Sequence, residues 1–336
     1  MRKVTIGIIG AGRIGRLHAN NIINFSDVRL KTISDLSNEH VTDWAKGIGI
    51  EQVVTNNEEI INDEEIDAIF VCSPSDTHAN IILAAARKGK HIFCEKPISF
   101  SIKETKEVLD VVESAGVQLQ VGFNRRFDRN FLRIRESIKK GVIGTPQIIK
   151  ITTRDPKPPP LEYVKQSGGL FYDMSIHDFD MARFLINSEV VQVYSIGTNL
   201  IEPYIEEEGD VDTAIISIKF ANGAIGVIDN SRKAVYGSDQ RVEVFGEKGC
   251  LTCENERLTT VEFINNKGAY QDKLKHFFER YKDAFIAEAR SFIDSVQTGD
   301  PVVCNGNDGL QAGLIASAAQ QSHLEGCLIK INQFKE

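Results

Sequence analysis

Between residues 4 and 123, short apolar runs alternate with segments of helical period. Runs at 4–9, 28–34, 66–72, 91–94 and 117–123 have the length and β-branched content of buried strands, and helical patterns occupy 13–25, 76–88 and 101–114. Parallel neighbours in a sheet need crossover connections, and the crossover helices cover both faces, so this alternation predicts a doubly wound parallel sheet. Ser101 with Glu104 has the spacing of a capping box at the start of the third helix, and Gly116 lies just past its end.

After residue 124 the texture changes. A basic helical segment at 127–140 leads into an apolar run at 148–153. The loop Asp155-Pro156-Lys157-Pro158-Pro159-Pro160, which continues neither helix nor strand, then frames a pocket. A helix is expected over 173–186, and period-two runs follow at 190–199, 211–220, 223–230, 240–246 and 257–264. Turns such as Ala221-Asn222-Gly223 make the resulting sheet mostly antiparallel. Helical stretches at 273–297 and 306–323 and a last strand at 328–331 close the chain.

The fold class read from this pattern is α/β. It combines an N-terminal Rossmann domain over 1–123 with an α+β domain over 124–336 built on a large open, mostly antiparallel sheet. The C-terminal helices are candidates to pack back on the first domain. An open sheet covered by helices on one face leaves the other to be buried, which predicts a homo-oligomer.

Composition narrows the partners. In 336 residues, 39 basic and 47 acidic side chains give a net charge of -8 without long single-sign runs. That balance argues against nucleic acid or an anionic membrane and for a small uncharged ligand. The glycine-broken N-terminal run predicts neither signal peptide nor membrane span, hence the cytoplasm. Six scattered cysteines make reduced thiols the expectation, and the Cys250 to Cys253 spacing falls in a strand-like stretch where the two side chains point to opposite faces.

The first strand runs directly into Gly10-Ala11-Gly12-Arg13-Ile14-Gly15 and then a helix. Gly10 permits the tight turn, Gly12 lets backbone approach a pyrophosphate, Gly15 lets helix and strand pack closely, and the helix start attracts the anion. Asp35, twenty residues after Gly15, ends the second strand where a carboxylate accepts from ribose hydroxyls. The same charge repels a 2′-phosphate, and Leu36-Ser37-Asn38 offers no arginine, so NAD is favoured over NADP. Ser73 and Pro74, after the third strand, are expected to line the cofactor cleft with His78, whose alternative roles are capping or packing.

Candidate chemistry lies at Glu95-Lys96-Pro97 and about 80 residues later at Asp173-Met174-Ser175-Ile176-His177. Asp173, His177 and Asp180 are spaced for one helix face, where a carboxylate raises the pKa of an imidazole and makes it a base near neutral pH. The bland alternative is a structural helix pair. Lys96 emerges from a strand end, where an ammonium can steady a developing oxyanion. No HExxH helix or Cys/His cluster supports a metal site, so no metal is expected.

Together these motifs, with Gly122-Phe123-Asn124-Arg125-Arg126-Phe127-Asp128 and Gly168-Gly169, resemble the NAD(P)-dependent sugar and polyol oxidoreductases that include glucose-fructose oxidoreductase and inositol dehydrogenase. The resemblance runs over almost the whole chain. Residues 234–241 and the Arg154-Asp155-Pro156 loop are most similar to the myo-inositol 2-dehydrogenases, with Ser238 where that subgroup commonly has an aromatic residue, which leaves the stereoisomer open. It implies Lys96, Asp173 and His177 as catalytic residues, Glu95 and Lys96 beside the cofactor, Arg126, Asp155 and Tyr236 around a cyclic polyol, and a tetramer. Another inositol isomer, a pyranose, or a cofactor-binding regulator without turnover are the competing readings.

Overall fold

The computed structural model describes residues 3–36, 41–274 and 276–331, so Ser37 and Asn38 lie outside the described residues. The chain forms two compact units, Met1–Phe127 with Asp283–Gly313, and Asp128–Lys282 with Leu314–Glu336.

In the first unit, β1 (Val4–Ile9), β2 (Val28–Ser34), β3 (Gln52–Val54), β4 (Ala68–Val71), β5 (His91–Glu95) and β6 (Leu119–Gly122) form one parallel sheet in the order β3-β2-β1-β4-β5-β6. The order reverses beside β1, and Ile9 pairs with Ser34 on one side and Val71 on the other, so three carboxyl ends finish level at this switch point. Every residue of β1 is buried. Short elements at Thr42–Ile48, β3 and Asn57–Ile61 lack a sequence signature because each spans at most two turns or three residues at the sheet edge.

Asp283–Gly313 belongs to this unit because its helix Lys282–Thr298 supplies core. Ala289, Phe292 and Ile293 are fully buried with Ile6, Ile8, Phe70 and Phe93. Phe70 and Phe93 stack at 4.6 Å between ring centroids, and Phe292 meets them at 5.4 and 5.9 Å. Such ring pairs add about 0.5 to 1.5 kcal/mol each beyond area burial. At Ser101 the cap is half of the expected box: its hydroxyl accepts from Glu104 N–H at 3.3 Å, while the Glu104 carboxylate takes the Ser99 hydroxyl.

In the second unit, β7 (Pro146–Arg154), β8 (Val190–Thr198), β9 (Thr213–Phe220), β10 (Ile225–Ser231), β11 (Asp239–Gly246), β12 (Gly249–Cys253) and, later in the chain, β15 (Ile329–Lys330) form a sheet ordered β12-β11-β7-β10-β9-β8-β15. Only β7 and β10 pair in parallel within it. Alternation is clean in β9, where Ala214, Ile216, Ile218 and Phe220 are buried and Ile215, Ser217 and Lys219 are exposed. The remaining strands, β13 (Arg257–Asn265) and β14 (Gly268–Lys273), make a separate hairpin.

The helix Ile176–Ile186 is pinned to the buried face of this sheet. Asp178 accepts from the Thr153 hydroxyl at 2.6 Å and Asn230 Nδ2 at 2.8 Å, and Ser175 donates to Asn230 at 2.5 Å. A single π-helical turn, Phe171–Ser175, precedes it where a continuous α-helix is expected.

Candidate active site

The three fingerprint glycines answer to three different constraints. Gly10 has φ +98°, and a Cβ there would lie 2.6 Å from Ser73 N; a Cβ on Gly15 would lie 1.9 Å from Gly10 O. Around Gly12 nothing among the described residues comes within 4 Å of that position. Two glycines therefore let the chain pack on itself, and the middle one leaves open space at the start of the helix Arg13–Ile22. Gly12 caps that helix without a side-chain bond. Asp35 Oδ2 accepts from Ala11 N–H at 3.0 Å, and its own N–H is held by Val54 O at 3.1 Å. An open glycine, a helix start and a fixed carboxylate at the next strand end fit the pyrophosphate and ribose of NAD.

β5 ends at Glu95, paired with Gly122 of β6. A Cβ on Gly122 would sit 3.0 Å from Glu95 Oε2 and 3.2 Å from its Cα, so the glycine keeps room for that carboxylate. Glu95 Oε1 lies 2.9 Å from Nε2 of His18, a fully buried histidine three residues past the fingerprint. His78 bridges the neighbouring loops: Nδ1 lies 2.7 Å from Pro97 O and Nε2 2.9 Å from Ser73 O. Burial, which opposes the charged ring, outweighs these carbonyls and holds its pKa below the ordinary value. His78 thus ties the Ser73-Pro74 turn to the Lys96-Pro97 corner.

In the second unit both oxygens of Asp173 are engaged. Oδ1 accepts from the Tyr163 hydroxyl at 2.7 Å and Oδ2 from Arg232 Nη1 at 3.0 Å. Arg232 is 1% exposed, and its Nη2 is 3.5 Å from Asp210 Oδ2. Burial works against its charge, but Asp173, Asp210 and Asp155 outweigh burial and raise its pKa. Asp210 Oδ1 accepts from Leu170 N–H at 2.8 Å, and Gly169, at φ +83°, has no room for a Cβ beside that oxygen. His177 follows Asp173 by four residues and is half-buried.

Residues 4–123 match the oxidoreductase family with an NAD-binding Rossmann fold, and residues 131–252 match the GFO/IDH/MocA C-terminal domain. The chain belongs to the GFO/IDH/MocA family. A myo-inositol 2-dehydrogenase of Thermotoga maritima is 44% identical over 98% of each chain. The crystal structure of a myo-inositol dehydrogenase from Corynebacterium glutamicum has TM-score 0.93 at 35% identity, covering 98% of each chain. A scyllo-inositol dehydrogenase from Lactobacillus casei, with bound NAD(H) and scyllo-inositol, has TM-score 0.93 at 29% identity, covering 98% of this chain and all of its own.

This GFO/IDH/MocA chain is an NAD-binding oxidoreductase. Asp180 is buried and lies 3.8 Å from Arg183 Nη1. Arg126, expected near a polyol, gives its guanidinium to Asp308 at 3.0 and 2.8 Å. The Tyr236 hydroxyl donates to Asp239 at 2.7 Å and accepts from Arg154 at 3.1 Å. Asp155 is fixed through its backbone to Ser231 and Ala234. Sequence reasoning missed His18, Tyr163, Arg232 and Asp210. Of these only His18 has a local signal, a histidine on the apolar stripe of the first helix.

Among the described residues, no group of three or more His, Cys, Asp or Glu is arranged to hold a metal ion. Cys250 is exposed and Cys253 buried, on opposite faces of β12, and burial pushes the Cys253 thiol up to about 11. No described helix is long and apolar enough to cross a membrane.

Proposed function

We propose that the protein oxidises the C2 hydroxyl of myo-inositol to the ketone with formation of NADH, using Lys96, Asp173 and His177. The observation that carries the reading is the fixed acid: Tyr163 and Arg232 hold Asp173 as an oriented anion four residues before His177. Relatives that share this length of chain and are named for inositol oxidation support the substrate.

In this reading His177 accepts the hydroxyl proton, Asp173 favours the imidazolium so formed, and Lys96 steadies the developing carbonyl oxygen. Bound NAD+ supplies the hydride acceptor. Asp155 and Tyr236, with Arg126, are assigned to the remaining hydroxyls. We place the enzyme in the cytoplasm as a homotetramer, a reading supported by six free thiols and by the exposed apolar residues Ile196, Ile215, Ile225 and Phe245 on strands of the second sheet.

The test is NADH absorbance across a panel of inositols and hexoses, with NAD+ and NADP+ in parallel. Lys96→Met and His177→Asn are expected to lower kcat by roughly 100-fold or more with NADH binding retained. Activity on a pyranose but on no inositol, or near-normal turnover in both variants, contradicts the proposal.

A further inference from the structure

Behind the Glu95-Lys96 corner, the first unit buries polar atoms that its own bonds do not satisfy. His18 Nδ1, Gln120 Oε1 and both carboxyl oxygens of Glu288 have no hydrogen-bond partner among the described residues. All three side chains are 0% exposed. They come from three elements, the helix Arg13–Ile22, β6 and the helix Lys282–Thr298. Buried polar groups are nearly always hydrogen-bonded, so several in one place require an explanation.

The three share one neighbourhood. Gln120 Nε2 donates to Glu288 O at 3.0 Å. The His18 ring meets the ring of Phe285, one turn before Glu288, at 5.9 Å between centroids. Glu95, whose Oε1 is 2.9 Å from His18 Nε2, acts electrostatically on Glu288.

Hydrogen-bond arithmetic then fixes the protons. A carboxylate at Glu95 only accepts, so the hydrogen of a neutral His18 ring sits on Nε2 and Nδ1 presents a lone pair. Gln120 Oε1 is also an acceptor, which leaves two acceptors in want of donors. One internal water supplies two donors and can itself accept one hydrogen bond from a carboxylic acid. An ionised Glu288 would instead place a fully buried negative charge near that of Glu95. Burial first, and the Glu95 charge after it, push the Glu288 carboxyl well above its ordinary pKa. Burial raises the thiols of Cys94, which is fully buried, and of Cys72, so both stay neutral.

We propose that Glu288 is a neutral carboxylic acid donating to an internal water that bonds His18 Nδ1 and Gln120 Oε1, making Glu288 and His18 positioning residues for Glu95. His18 is locked in the tautomer that aims Nε2–H at Glu95, and Glu95 in turn is held at the root of Lys96. The importance of this corner to turnover rests on the function proposed above; the protonation pattern does not.

The test uses the full-length protein. Infrared spectra at neutral pH are expected to show the C=O stretch of a protonated carboxylic acid that disappears in Glu288→Gln. ¹⁵N-histidine NMR is expected to show Nδ1 of His18 without a proton and Nε2 with one, assigned by its loss in His18→Gln. Gln at 288 retains a donor and preserves that tautomer, whereas Glu288→Met shifts it and weakens NADH binding on the order of tenfold, as loss of a group behind a ligand's partner commonly does. An acid band that survives Glu288→Gln, or a protonated Nδ1 in the unmodified protein, overturns the inference, and neither spectrum depends on either variant staying folded well enough to turn over. Both signatures present in a protein inert toward inositols would sink the proposed function alone; the opposite pair of results would sink only this inference.

Discussion

Gly12→Ala separates what the fingerprint does for the fold from what it does for the cofactor. Gly12 has φ -67° and ψ -171°, a conformation alanine adopts without strain, and an added Cβ meets nothing within 4 Å among the described residues. The fold should therefore lose nothing, and the stiffer unfolded chain adds about 0.4 to 1 kcal/mol of stability. The methyl group projects into the space a pyrophosphate needs, where overpacking costs about 1 to 3 kcal/mol. That corresponds to roughly 5- to 150-fold weaker NADH binding. Gly15→Ala is the contrast, because its Cβ would lie 1.9 Å from a backbone oxygen, so folding itself fails or weakens severely. NADH titration by fluorescence, paired with thermal melts, reads both quantities. Unchanged affinity in Gly12→Ala, or a melting loss there like that of Gly15→Ala, refutes the division of labour.

Three further outcomes are expected. Arg232→Met removes the buried guanidinium and leaves the partly buried Asp173 and Asp210 carboxylates without their counter-charge, and losing one partner of a buried pair costs up to about 3 to 5 kcal/mol of stability; a urea midpoint equal to that of the unaltered chain contradicts the ion pair's importance. Asp35→Asn keeps an acceptor for Ala11 N–H but removes a charge worth about 1 to 4 kcal/mol at 4 Å, so the NADP+ to NAD+ ratio of kcat/KM should rise, and an unchanged ratio argues against Asp35 as the discriminator. Burial holds His78 below its ordinary 6.5, so the unfolded chain binds the proton first. The stability this provides is complete above that value and is lost as pH falls through the lower folded value. Denaturation midpoints of His78→Gln should lack that acid-side slope, and parallel curves for the two proteins rule it out.

What could be read from the sequence was local. The strand β1, its glycine turn and Asp35 are defined by spacing along one stretch of chain, and Gly10 and Gly15 have the tight-packing cause their positions imply. The antiparallel character of the second sheet was likewise legible, since period-two runs such as β9 state which face is buried. Partners far apart in sequence were not. Arg232 lies 59 residues from Asp173 and is one arginine among many until folding buries it. Periodicity marks the apolar stripe of Lys282–Thr298 but not which sheet it covers. The π-helical turn at Phe171–Ser175 was hidden because the spacing of Asp173 and His177 reads as ordinary α-helix. Asp308, the counter-ion of Arg126, sits 182 positions away with no motif around it.

The first unit is assembled from the two ends of a long interval, and this sets an order of events during synthesis. Phe93 and Phe70 leave the ribosome 199 and 222 residues ahead of Phe292, the ring that covers them. At roughly 5 to 20 residues per second the delay is about 10 to 40 s. Throughout it the nucleotide-binding half waits with an aromatic surface uncovered while the intervening half is already being made. A fragment ending at Phe127 is therefore a poor candidate for expression by itself, and grafting this half onto another protein must carry Asp283–Gly313 along.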